Sequence, residues 1–316
     1  MSPRVDSATT AEGLLLALAE STQLSGARTG DVPGRSDVTQ GLWTETRGRG
    51  IRVVFLHGFT QSAQSWDPVV QELAAFKASK TLGASATSAA LSPLGALDAL
   101  TDSPYEVVLP DLPGHGRSAD VAINLETTAE LVAKSFGSAI YVGYSMGGRV
   151  ALHIARAYPE LVRGLLLFGA TPGLKTEAER LERRTADELL AQELESIGVP
   201  TFLDRWLRNP LFATLPVTPR DLQLRQQNTV AGLASSLRLN GTGSQESLWD
   251  SLPTISAPTI VAAGDRDHKF TALGEAMADS IGSNAAFVSV TDSGHPCHLE
   301  QPHQAAQLLD KLVNQI

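Results

Sequence analysis

The sequence predicts an α/β fold, with a mostly parallel central sheet, helices on both faces and a helical lid. Three observations predict it. Six short apolar runs end at turn-forming residues, the pattern of buried strands. Segments of helical spacing separate most of these runs. One long stretch, residues 172–252, carries helical patterns and no strand signal.

In chain order, residues 1–37 are rich in Ser, Thr, Gly and Ala, which predicts a flexible N-terminal arm ahead of a domain over 38–316. Within the arm, Glu12 to Ser21 has the spacing of one amphipathic helix. Ile51 to Leu56 is the first strand and ends at His57-Gly58. Trp66 to Phe76 follows, with Trp66, Val69, Val70, Leu73 and Ala74 at helical intervals. Residues 77–104 lack periodicity and predict a surface insertion, with a short helix at Leu94 to Leu100. Further strands are expected at Val107 to Leu109, Ile140 to Val142 and Gly164 to Phe168. Helices are expected at Thr127 to Phe136 and Arg149 to Tyr158. Beyond the lid, Thr259 to Ala263 and Ala286 to Val290 complete the strands. Ligands of such sheets bind beyond the carboxyl ends of the strands, so the turns after each strand are the places for chemistry.

Composition narrows the function. The 316 residues suffice to bury a full core without disulfide or metal staples. A net charge of -9 argues against a nucleic-acid partner, because a phosphate backbone would be repelled. A small anionic substrate stays compatible, since a few placed arginines outweigh the mean field. The single cysteine, Cys297, permits neither an internal disulfide nor a cysteine-rich metal site. No apolar run approaches the roughly 20 residues of a membrane span. The apolar patch Leu14 to Leu18 is flanked by Glu12 and Glu20, unlike a signal peptide, so a cytoplasmic location is expected.

The strongest motif is Gly143-Tyr144-Ser145-Met146-Gly147, a G-x-S-x-G between a predicted strand and a predicted helix. That context presents a nucleophilic hydroxyl on a tight turn. Serine needs a base and the base an orienting acid. His295 follows the last strand in Ser293-Gly294-His295, and Asp267 follows the one before it in Gly264-Asp265-Arg266-Asp267. Asp265 is the alternative acid, though its place directly after the strand suits the backbone turn. His57 and His115 sit in turn motifs that favour structural hydrogen bonds, and Cys297 reads as a buried thiol. The turn after the first strand supplies a second oxyanion donor, which assigns the hole to the backbone N–H groups of Phe59 and Met146. Arg149 lies four residues after Ser145, one helical turn away on the same face, where it can fork onto a carboxylate.

These motifs, with Asp111-Leu112-Pro113-Gly114-His115-Gly116-Arg117-Ser118, resemble the α/β-hydrolase superfamily over residues 51–316. Further segments resemble the 2-succinyl-6-hydroxy-2,4-cyclohexadiene-1-carboxylate synthase family of menaquinone biosynthesis. They are the serine turn extended to Gly148-Arg149, Pro172-Gly173-Leu174, Trp206 with Pro210-Leu211-Phe212-Ala213, and Leu224-Arg225 with Asn228. Asp267-His268-Lys269-Phe270 and Gly294-His295 with His298-Leu299-Glu300 extend the match. The resemblance implies a lyase that eliminates pyruvate from a 5-enolpyruvyl cyclohexene precursor, with no metal or organic cofactor. It implies that Arg149, Arg183 and Arg225 bind substrate carboxylates, with Arg184 as the alternative to Arg183, and that Tyr144 and Trp206 line the pocket. Two other classes compete: a serine hydrolase of an ester or a carbon–carbon bond, and a non-catalytic binding protein on the same fold.

Overall fold

The computed structural model describes residues 41–82 and 104–316. The expected arm at 1–37, most of the expected insertion at 77–104 and its helix at Leu94 to Leu100 lie outside the described residues.

The strands are β1 (Thr44–Gly48), β2 (Ile51–Leu56), β3 (Tyr105–Pro110), β4 (Ala139–Tyr144), β5 (Val162–Phe168), β6 (Thr259–Gly264) and β7 (Ala285–Val290). They form one sheet in the order β1-β3-β2-β4-β5-β6-β7. Among the described residues the β1–β3 pairing alone is antiparallel; the other five are parallel. The six expected strands are all present. β1 was not expected, because Thr-Glu-Thr-Arg-Gly has no apolar run. It is an edge strand, and its Arg47 reaches Asp67 at 2.9 Å, so its charges face partners rather than a core.

The helices are α1 (Asp67–Leu82), α2 (Leu125–Phe136), α3 (Met146–Ala157), α4 (Glu177–Trp206), α5 (Pro219–Arg225), α6 (Val230–Asn240), α7 (His268–Ile281), α8 (Cys297–Glu300) and α9 (Pro302–Val313). α1 runs on to Leu82, so helix continues into the region expected to begin an irregular insertion at 77. Alternate strand residues feed two separate cores. Val54, Leu56, Tyr141, Leu165 and Val261 pack with α2, α3 and α7 on one face. Val53, Phe55, Ile140, Val142, Leu166 and Ile260 pack with α1 and α9 on the other. This is the period of two that a sheet covered on both faces requires.

Residues 172–252 hold α4, α5 and α6 and no strand. α4 opens with a capping box between Thr176 and Glu179 and breaks at Gly198, whose φ of 75° is non-helical. Pro200, two residues on, cannot donate to the preceding turn, so two helices meet there at a kink. Ala191, Leu194, Phe202, Leu203, Leu233 and Leu237 give this insert its own small core. Among the described residues, no helix is long and apolar enough to cross a membrane.

Four turn groups knit the strand ends beneath the insert. Asp111 accepts from Ala63 N–H (2.7 Å) and Arg117 N–H (2.9 Å). Gly116 is needed beside it, because a Cβ there would lie 2.3 Å from the Asp111 carboxylate. His57 Nε2 accepts from Leu112 N–H, which leaves Nδ1 to donate to Gly58 C=O. His115 does the same with Thr60 N–H and Pro113 C=O. Burial lowers His57 and His153 to about 4 and His115 to about 3.

Those three imidazoles make the fold acid-sensitive. Their folded values lie below the unfolded value, so the unfolded chain binds more protons in the window between. Their contribution is complete above pH 6.5 and is lost as pH falls towards 4. Going from pH 7 to 5 should remove about 2 kcal/mol for each. Asp111 and Asp187, raised by burial, offset part of this. Urea titrations should show a lower midpoint at pH 5 than at pH 7; an unchanged midpoint would contradict the assignment.

Candidate active site

Ser145 sits at the β4–α3 turn with φ 49° and ψ -106°, a left-handed conformation that side chains rarely adopt. Its N–H donates to Phe168 C=O on β5 at 2.9 Å, which holds the strained turn. The flanking glycines are steric requirements. A Cβ on Gly143 would meet Gly147 C=O at 2.5 Å, and one on Gly147 would meet Leu56 C=O at 2.0 Å. Met146 is the first residue of α3, so its N–H has no intrahelical acceptor. Phe59 follows the β2 turn, and its ring meets Trp206 edge-on at 5.3 Å, joining the core to the insert.

His295 Nδ1 lies 2.8 Å from Asp267 Oδ2, and both side chains are buried. Asp267 is also the cap of α7, its Oδ1 accepting from Phe270 N–H at 3.2 Å. Carboxylate contact places the imidazole proton on Nδ1 and leaves Nε2 to exchange protons. The histidine ring packs against Phe270 at 4.3 Å and over Gly169, where a Cβ would lie 2.8 Å from it. Asp265 instead accepts from Asp292 and Ser293 N–H groups, which closes the β6 and β7 turns. Cys297 is wholly buried and its thiol is pushed up by that burial.

Ser145 and His295 open into one cleft of about 180 Å³. Its wall also includes Phe59, Tyr144, Met146, Arg149, Arg183 and Trp206. Among the described residues, three cations, Arg149, Arg183 and Lys269, share that wall with one carboxylate, Asp187. The cleft is therefore locally positive in a protein whose net charge is -9.

Arg149 is 6% exposed. Its Nη2 donates to Asn240 C=O at 2.5 Å, whereas Nη1 has no hydrogen-bond partner among the described residues. Burial, then the like charge of Arg183, lowers its pKa to about 10, so it keeps its proton at neutral pH. Arg183 donates to Asp187 at 2.9 Å from the next helical turn. Arg184 faces elsewhere, onto Gly243 C=O and Glu177. The Trp206 indole N–H is also buried without a partner among the described residues. Tyr144 packs on Gly58, stacks on His298 at 4.3 Å, and keeps its phenol proton because burial raises it.

Arg225 is placed differently from Arg149 and Arg183. It is not part of the cleft wall. Its Nε donates to Asp221 at 2.9 Å and its Nη1 to Thr60 Oγ1. Two of its three guanidinium nitrogens are thus held by protein oxygens. Conversely, Lys269, Asp187 and Asn240 were not picked out as site residues. Lys269 lies two residues after Asp267, a signal within reach; Asp187 and Asn240 depend on how the insert docks.

Residues 53–308 match the alpha/beta hydrolase family. A Bacillus subtilis protein provisionally named 2-succinyl-6-hydroxy-2,4-cyclohexadiene-1-carboxylate synthase is 32% identical over 270 residues, 84% of this chain and 90% of its own. The Salmonella paratyphi C protein of that name is 30% identical over 83% of this chain and 92% of its own. Among solved structures, MenH from S. aureus superposes with a TM-score of 0.72 at 28% identity, covering 86% of this chain and 98% of that one. An esterase from Thermogutta terrifontis, at 24% identity and a TM-score of 0.67 over 87% and 93% of the two chains, shares the fold. From the sheet order, the serine turn and these matches, the chain belongs to the alpha/beta hydrolase family and, within it, to the 2-succinyl-6-hydroxy-2,4-cyclohexadiene-1-carboxylate synthase family.

Proposed function

We propose that the protein is a carbon–oxygen lyase of menaquinone biosynthesis. It converts 2-succinyl-5-enolpyruvyl-6-hydroxy-3-cyclohexene-1-carboxylate to 2-succinyl-6-hydroxy-2,4-cyclohexadiene-1-carboxylate and pyruvate. The observation that carries this reading is the buried, half-unpartnered Arg149 guanidinium beside Ser145. A neutral ester has no use for a desolvated cation there, whereas a tricarboxylate substrate does. The named relatives support the same reading.

His295, oriented by Asp267, takes the proton of Ser145, and the serine oxygen removes the ring proton beside the succinyl ketone. The electrons move into the ring, the C3–C4 double bond shifts to C4–C5, and the C5–O bond breaks. Enolpyruvate leaves and takes up a proton to become pyruvate. Charge develops on the ketone oxygen, which the N–H groups of Phe59 and Met146 receive. No acyl-enzyme is formed. Arg149 and Arg183 hold carboxylates of this small anionic substrate, while Trp206 of the lid meets Phe59 of the core to close the cleft. The three acids of the substrate outnumber Asp187, so the locally positive wall suits it. Incubation with the precursor should yield a conjugated diene and one equivalent of pyruvate. Recovery of unchanged precursor would refute the reading.

A further inference from the structure

Thr60 follows Phe59 and is wholly buried. Its φ of 65° is left-handed, a region that a β-branched residue enters only when its surroundings force it. Each polar group of Thr60 is held. Its N–H donates to His115 Nε2 at 3.3 Å. Its Oγ1 accepts from Arg225 Nη1, and its C=O accepts from Asn228 Nδ2 at 2.8 Å. Arg225 and Asn228 come from the helical insert, 165 and 168 residues further along the chain. Asn228 Oδ1 also accepts from Gly116 N–H at 2.9 Å, so one amide bridges two turns of the core. Arg225 is balanced by Asp221 and is 3% exposed.

We infer that Arg225 and Asn228 are positioning residues: they lock Thr60 in its left-handed turn and so aim the Phe59 N–H at the oxyanion. The inference rests on Phe59 being one of the two oxyanion donors. It makes the hole depend on docking of the insert, and it gives Arg225 a role that needs no contact with substrate. The Phe59 N–H lies one peptide plane further back, and a relaxed φ at Thr60 would turn the chain segment that carries it. His115, whose Nε2 stays an acceptor because burial keeps it neutral, completes the clamp.

The test uses the full chain and a fluorophosphonate probe. The phosphoryl oxygen of that probe needs the oxyanion hole for attack by Ser145, but the probe carries no carboxylate. Arg225→Ala and Asn228→Ala should each slow phosphonylation of Ser145 at least tenfold. Amide hydrogen exchange should rise at least tenfold in the peptide over 57–62 and stay unchanged over the serine turn at 143–148. Arg225→Lys, which keeps charge but not the two-sided fork, should recover only part of the labelling rate. Wild-type labelling and exchange in both alanine variants would overturn the inference. Slower labelling without faster exchange over 57–62 would also overturn it, since Arg225 would then act on the phosphonate itself. Faster exchange with wild-type labelling would overturn it as well, by separating the turn from the hole. If the parent protein resists the probe, exchange over 57–62 decides alone. A failure of the lyase reading leaves all these measurements intact, because none uses the enolpyruvyl substrate.

Discussion

Replacing Ser145 with alanine is expected to lower pyruvate release by about 10³-fold or more while leaving the fold intact. In the proposed mechanism serine, histidine and aspartate act as one unit, so removing the serine oxygen would strand an oriented His295–Asp267 pair with no group to relay its proton. The fold should survive because the strained turn is held by backbone, through Ser145 N–H to Phe168 C=O, and not by the hydroxyl. Alanine is also smaller than serine in a site packed against glycines. Thermal unfolding and turnover should therefore separate: an unchanged midpoint with turnover lost. A Ser145→Ala protein that releases pyruvate at near-parental rate would remove the mechanism.

The second large effect is expected at Arg149. Arg149→Ala should raise the barrier for the enolpyruvyl substrate by about 2–5 kcal/mol, the range for losing one partner of a desolvated charge pair. That corresponds to roughly 30-fold to several thousand-fold in kcat/KM. Arg149 is already buried by the fold, and its Nη1 has no acceptor among the described residues. A substrate carboxylate would meet a guanidinium that folding has already largely buried, which is why the pair counts for more than an exposed one. Arg149→Lys should recover only part of the loss, because an ammonium keeps charge but lacks the fork. Hydrolysis of a neutral ester should be nearly insensitive to either change. Full activity of Arg149→Ala on the enolpyruvyl substrate would dismiss the carboxylate clamp.

Much of the fold was legible because its central strands are buried on both faces. Runs such as Val53–Leu56 and Ile260–Ala263 announce themselves by continuous apolar character. β1 escaped the same reading because an antiparallel edge strand owes its place to backbone pairing with β3 and to ion pairs of Arg47. Within the site, Ser145 and Arg149 share one helix start, so local spacing places them together. Asp267 and His295 follow neighbouring parallel strands, whose carboxyl ends converge by the geometry of the fold.

The insert was less legible, for a physical reason. Helical periodicity reports that a face is buried, not which surface buries it. Arg183 and Arg225 are both arginines on insert helices with an acidic partner one turn away. Only the docking of α4 and α5 decides that the first borders the cleft and the second grips Thr60. Asn240 is a similar case, since its backbone carbonyl, not its side chain, receives Arg149.

The central claim is that a hydrolase-type serine site here serves an elimination on a polycarboxylate. One paired assay tests it most directly: the same preparation is given the enolpyruvyl precursor and a p-nitrophenyl ester. The account predicts rapid release of pyruvate from the first and little cleavage of the second. Efficient ester cleavage with no pyruvate from the precursor would contradict it, and would make the protein a serine hydrolase.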